Sequence, residues 1–156
     1  MERTDKWKNE RIISSLQSHE KDVICEALNC LDNDFISYYQ FDEQTFVTIM
    51  DSIISLCVSP EIYADSDFLG ELLDILEAGT GHQISSFINF EPLIGLFENE
   101  QFSAKMWHLA IILGFSYQPK YIDYLKSIET DDSVLQKEIN DAILELEHVK
   151  KITEGK

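Results

Sequence analysis

No lysine or arginine occurs between Lys21 and Lys105, while the same stretch carries sixteen Asp or Glu. That segment accounts for −16 of the formal net charge of −17. A surface of this sign repels nucleic acid and anionic membrane and attracts cations or a basic protein. Turn-forming residues are scarce as well. Three prolines and six glycines in 156 residues are too few for a turn-rich all-β protein or a long flexible linker. No apolar run approaches the ~20 residues that span a membrane, and the opening stretch, MERTDKWKNER, is charged throughout, unlike a secretory leader. The three cysteines, Cys25, Cys30 and Cys57, are odd in number and form no CxxC pair, which excludes a disulfide framework and a thiolate zinc knot. A single domain in the cytoplasm, residues 1–156, is the expectation.

What is present is helix-forming sequence in short amphipathic segments. In DDSVLQKEINDAILEL (131–146), Ser133 and Gln136 have the spacing of a capping box, and Leu135, Ile139, Ala142, Ile143 and Leu146 fall on one helical face. Residues 11–31 and 123–143 align without gaps. Ile13 pairs with Leu125, Leu16 with Ile128, Val23 with Leu135, Ala27 with Ile139, Cys30 with Ala142, and Leu31 with Ile143. A third copy places Leu109, Ile112 and Leu113 in the same phase, although Lys105 stands where the others have Val23 and Leu135. A fourth pair carries Phe46, Ile49, Ile53 and Leu56, then Leu69, Leu72, Leu73 and Leu76. Pro92 and Pro119 suit the first turn of a helix, where no N–H is needed. Pro60 separates two helices, and Gly79 and Gly81 end one.

The pattern predicts an all-α protein of about eight helices in four stacked antiparallel hairpins, approximately 5–33, 42–78, 84–116 and 119–150. A hairpin this short cannot bury its own apolar face, so neighbours must stack. The second-helix pattern, an acid, then apolar residues three, seven, ten and eleven positions on, resembles that of HEAT-like repeats. It appears at Glu20, Val23, Ala27, Cys30 and Leu31, and again at Asp132, Leu135, Ile139, Ala142 and Ile143. Ile24 and Gln136 stand where that family usually has Arg, so its Asp-to-Arg ladder is missing or replaced.

Groups that do chemistry are sparse. Glu145-x-x-His148 has the spacing of a di-iron carboxylate ligand pair, but no second such motif exists. AGTGHQ (78–83) lacks the Lys of a phosphate loop. No basic group adjoins Cys25 or Cys30 to activate a thiol. No catalytic residue, metal site or cofactor is therefore assigned.

Two features suit a protein partner. Asp67, Glu71 and Asp74 form a carboxylate stripe on one predicted helix, with Glu138, Asp141 and Glu145 flanking another. In DNDFISYYQFDE (32–43), the aromatics Tyr38, Tyr39 and Phe41 stand among acids at a hairpin junction, the composition of an interface anchor. Small size, acidity and helical-repeat character together resemble the immunity proteins of bacterial polymorphic-toxin and contact-dependent inhibition systems. That resemblance implies a protein that binds a cognate basic toxin domain, for example a nuclease, and blocks its active site. It carries over no individual residue. A HEAT-like scaffold or adaptor that joins proteins without inhibiting them is the alternative.

Overall fold

The computed structural model describes residues 10–18, 20–34, 42–80, 83–99 and 105–154. Among them the protein is all-α, with nine α-helices and no strand. Helix α1 covers 10–16, α2 Lys21–Asp34, α3 Glu43–Cys57, α4 Pro60–Tyr63, α5 Ser66–Gly79 and α6 Glu91–Asn99. Then come α7 Met106–Gly114, α8 Ile122–Ser127 and α9 Ser133–Glu154, with 3₁₀ turns at Gln83–Phe87 and Pro119–Tyr121. Pro60 does more than separate two helices. It occupies the first turn of α4, a single turn that the apolar periodicity is too short to reveal. No helix among the described residues is long and apolar enough to cross a membrane.

Side-chain caps set several of the helix starts. Asp42 accepts from the Thr45 amide at 2.8 Å to open α3, and Asp65 accepts from the Phe68 amide at 3.1 Å to open α5. At α9 the expected capping box is displaced by one residue. Asp132 Oδ1 accepts from the amides of Val134 (2.9 Å) and Leu135 (3.2 Å), and Gln136 Nε2 donates to Asn140 Oδ1 instead of reaching back. A carboxylate outcompetes the Ser133 hydroxyl because it carries full negative charge at the positive end of the helix dipole. Asp132→Ala is therefore expected to cost about 1 kcal/mol, and Ser133→Ala less than about 0.5 kcal/mol, in urea unfolding.

Helix α2 packs on α5, α5 on α7 and α7 on α9, while α3 meets α6. In addition α3 packs on α5, α6 on α7 and α8 on α9. One core runs between them, with Phe46, Ile49, Leu72, Phe90, Leu109, Ile139 and Leu146 at most 1% exposed. The backbones of α7 and α9 approach closely at Gly114, where an added Cβ would stand 2.7 Å from the Cβ and 2.9 Å from the Cα of Ala142. Only glycine permits that approach. Tyr121 Oη accepts from the Phe90 amide at 3.1 Å, and Gln118 Nε2 donates to the carbonyls of Ser85 (3.0 Å) and Ile88 (2.6 Å). These bonds tie the entry of α6 to the turn before α8 and satisfy backbone oxygens inside the core.

Ala27 and Ile139, paired by the alignment, are both buried, and Leu109, Ile112 and Leu113 are fully buried. The phase of α2 differs from the alignment. Ile24 is fully buried and Val23 only half, because the buried stripe runs Ile24–Ala27–Leu28. In α1, Ile12 and Leu16 are buried and Ile13 packs partly exposed against the core. Adjacent apolar residues, Ile12–Ile13 and Val23–Ile24, leave two phases open, and only tertiary packing, for α2 against α5, selects one.

Candidate protein-binding face

Helix α5 turns Phe68, Leu69, Leu72, Leu73 and Leu76 inward. Asp67, Glu71 and Asp74, spaced four and three residues apart, consequently form an exposed stripe. The stretch has no base of its own, yet the fold returns cations to this helix from both flanks. Lys21 pairs with Asp65, its ammonium 5.0 Å from the Phe68 ring centroid. That hydrogen bond from Lys21, followed by the one from the Phe68 amide, holds the Asp65 carboxyl below its ordinary range. The Lys105 ammonium lies over Gly70, 3.2 Å from where a Cβ would be. His108, on α7, meets the far end of the stripe.

His108 is buried, and its Nδ1 stands 2.6 Å from Glu77 Oε1 and 3.5 Å from Asp74 Oδ1. The Trp107 indole stacks on the imidazole with centroids 3.7 Å apart. His108 is one of four histidines in the chain, and nothing next to it in sequence singles it out. The available signal was Asp74-x-x-Glu77, two carboxylates one turn apart, but the partner lies 31 residues away on another helix.

Helix α7, MWHLAIILG, is apolar on every side. Leu109, Ala110, Ile112 and Leu113 take the core-facing side. Trp107 and Ile111, continued by Phe115 just past the helix end, recur every four residues on the other side. Trp107 is 40% and Phe115 47% exposed, and Ile111 is half-buried. His108 marks the edge of α7 that faces α5, and Gly114 the edge that faces α9. The outward apolar stripe therefore lies between those two helices.

On the α9 side, Ile111, Gly114, Phe115 and Ala142 floor a groove of about 170 Å³ whose rim is Glu138, Asp141 and Glu145. Lys137 stands 3.8 Å from Asp141, an exposed pair one helical turn apart. Asp74, beside His108 at the end of the α5 stripe, and the α9 row Glu138, Asp141 and Glu145 thus border the apolar strip of α7 on opposite sides. Aromatic anchors within a charged rim are the usual anatomy of a protein interface, and a helix apolar all round normally has both sides covered.

The other residues singled out from the sequence are distributed as follows. Tyr38, Tyr39 and Phe41 lie outside the described residues. Glu145 and His148 are both exposed on α9. Burial pushes the Cys57 thiol far above its ordinary range, and burial followed by the Glu71 carboxylate raises Cys25, so neither is poised as a nucleophile. The side chain of Cys30 lies outside the described residues. Comparison with protein-family models, with curated proteins and with solved structures found no match.

Proposed function

We propose that this chain is an immunity protein, which neutralises a toxin by covering a basic domain with the α5–α7–α9 face. The observation that carries this reading is the outward strip Trp107–Ile111–Phe115, bordered on α9 by Glu138, Asp141 and Glu145 and on α5 by Asp74, the end of the exposed stripe Asp67–Glu71–Asp74. The role asks for no chemistry of this chain. It needs a rigid surface that meets its partner at little ordering cost, and packed helices supply one. The charge of −17 speeds the encounter, and the aromatics, once desolvated, slow dissociation. A nuclease domain is the natural partner, because it must carry a cationic groove to hold its substrate. Inhibition is steric and electrostatic, and it takes place in the cytoplasm, where such a toxin acts.

Stopped-flow association with a candidate basic toxin domain tests the reading. The on-rate is expected to fall steeply from low salt to physiological salt, where screening shortens the field to about 8 Å. Reversing Asp67, Glu71 and Asp74 to lysine together should slow association by about tenfold or more, and reversing Glu138, Asp141 and Glu145 should act in the same direction. Reversing Glu61, Asp123 and Glu129, exposed acids away from the face, should change the rate by less than about twofold. A salt-independent on-rate, or equal effects from all three sets, would contradict it. Binding that leaves the toxin active would favour the adaptor instead.

A further inference from the structure

We propose that Asp74, Glu77 and His108 form a binding site for a first-row divalent cation of the Zn²⁺ class, a property separate from partner binding. Asp74 Oδ1, Glu77 Oε1 and His108 Nδ1 all lie within 4.8 Å of one another. The donors come from two packed helices, so the site is held by tertiary structure and not by a mobile loop. Two carboxylates one turn apart on α5 face a single imidazole on α7, a mixed oxygen and nitrogen set suited to Zn²⁺, Mn²⁺ or Fe²⁺.

The spacing distinguishes this cluster from a simple hydrogen-bonded pair. One imidazole nitrogen makes one short hydrogen bond, and at 2.6 Å that bond is to Glu77. Asp74 Oδ1, at 3.5 Å from the same nitrogen, is too far to share it. Yet two ligands on one ion, each roughly 2.1 Å from it, stand roughly 3.0–3.4 Å apart. The His108–Asp74 separation already falls close to that range, and the His108–Glu77 contact needs to open by less than about 1 Å.

Exposure is graded across the cluster: the side chains of His108, Glu77 and Asp74 are 7%, 20% and 66% exposed. The ring is thus fixed from within, by burial and by the Trp107 stack, while the Asp74 side opens to solvent for entry and for water ligands. A divalent ion at this position engages all three donors and pins α5 to α7.

The test uses metal-stripped full-length chain carrying Trp7→Phe, so that Trp107 is its one indole. Calorimetric titration with Zn²⁺ is expected to show one saturable equivalent, and Co²⁺ to quench Trp107 fluorescence with the same stoichiometry. Asp74→Asn alters an exposed side chain and should leave the fold intact, yet weaken Zn²⁺ binding by more than about tenfold, the low end of what even an outer-shell partner costs. His108→Gln should abolish binding. If that variant fails to fold, Asp74→Asn and the Co²⁺ quench decide between them. His148→Gln, a control on α9, should bind like the parent. Absence of saturable binding, unchanged affinity in Asp74→Asn, or loss of binding in His148→Gln would overturn the site. Toxin binding is not measured in any of these arms, so the two proposals stand or fall separately.

Discussion

Ile139→Ala is expected to lower the free energy of unfolding by about 2–4 kcal/mol, the range for truncating a core isoleucine. Ile139 is 1% exposed and lies in the middle of the buried stripe Leu135–Ile139–Ala142–Leu146, on the helix that packs against both α7 and α8. Its neighbourhood cannot collapse into the space left behind, because the Gly114–Ala142 contact already holds α7 and α9 as close as their backbones allow. On the outer side of the same helix Val134 and Leu144 are 69% and 63% exposed, and their truncation should cost less than about 0.5 kcal/mol. Equilibrium urea unfolding of the three variants distinguishes core from surface. A similar small loss in all three would mean that α9 is rotated from the phase described.

Trp107→Ala is expected to weaken binding to the basic partner by about 2 kcal/mol or more, roughly 30-fold in affinity, with Phe115→Ala next in effect. Trp107 has most of its surface buried against its own chain, and its ring is fixed by the stack on His108, so little ordering cost remains to be met on binding. Phe87, 74% exposed in the 3₁₀ turn before α6, is a control of similar chemistry away from the face, and Phe87→Ala should leave affinity within about 0.5 kcal/mol of the parent. Most of the Trp107 effect should appear in the dissociation rate, since the carboxylate rows that govern encounter are untouched. Isothermal titration, with thermal unfolding to confirm that each variant is folded, gives the comparison.

Local pattern was enough to read the longer helices and much of their buried side, but not the single turn of α4. Ile139, Ala142 and Leu146 recur at helical spacing, and the exposed stripe Asp67–Glu71–Asp74 follows from the same rule applied to charge. Where two apolar residues are adjacent, as at Val23–Ile24, the pattern permits two rotations and packing decides. Ser133 and Asp132 are neighbouring cap candidates, and the choice turns on the charge of the acceptor, which a motif does not weigh. The face itself was least legible. The repeat alignment turned Leu109, Ile112 and Leu113 inward, but helix α7 has apolar residues on its other side too, so nothing local marks Trp107, Ile111 and Phe115 as an outward strip. The aromatics at Tyr38, Tyr39 and Phe41 drew attention because they stand among acids in the chain, whereas Trp107 and Phe115 acquire their acidic borders only in space. The approach of Lys21 to Asp65 and of His108 to Glu77 spans 44 and 31 residues, beyond the reach of any local rule.

Accessibility of Trp107 in the complex tests the central claim most directly. With Trp7→Phe leaving one indole, acrylamide quenching reads whether the strip between the two carboxylate rows is open or covered. In the free protein the 40% exposed ring should be readily quenched. Saturation with the basic toxin domain should shield it, with quenching falling severalfold. Quenching that stays unchanged at full saturation would mean that the partner binds elsewhere, and the α5–α7–α9 face would then not be the working surface.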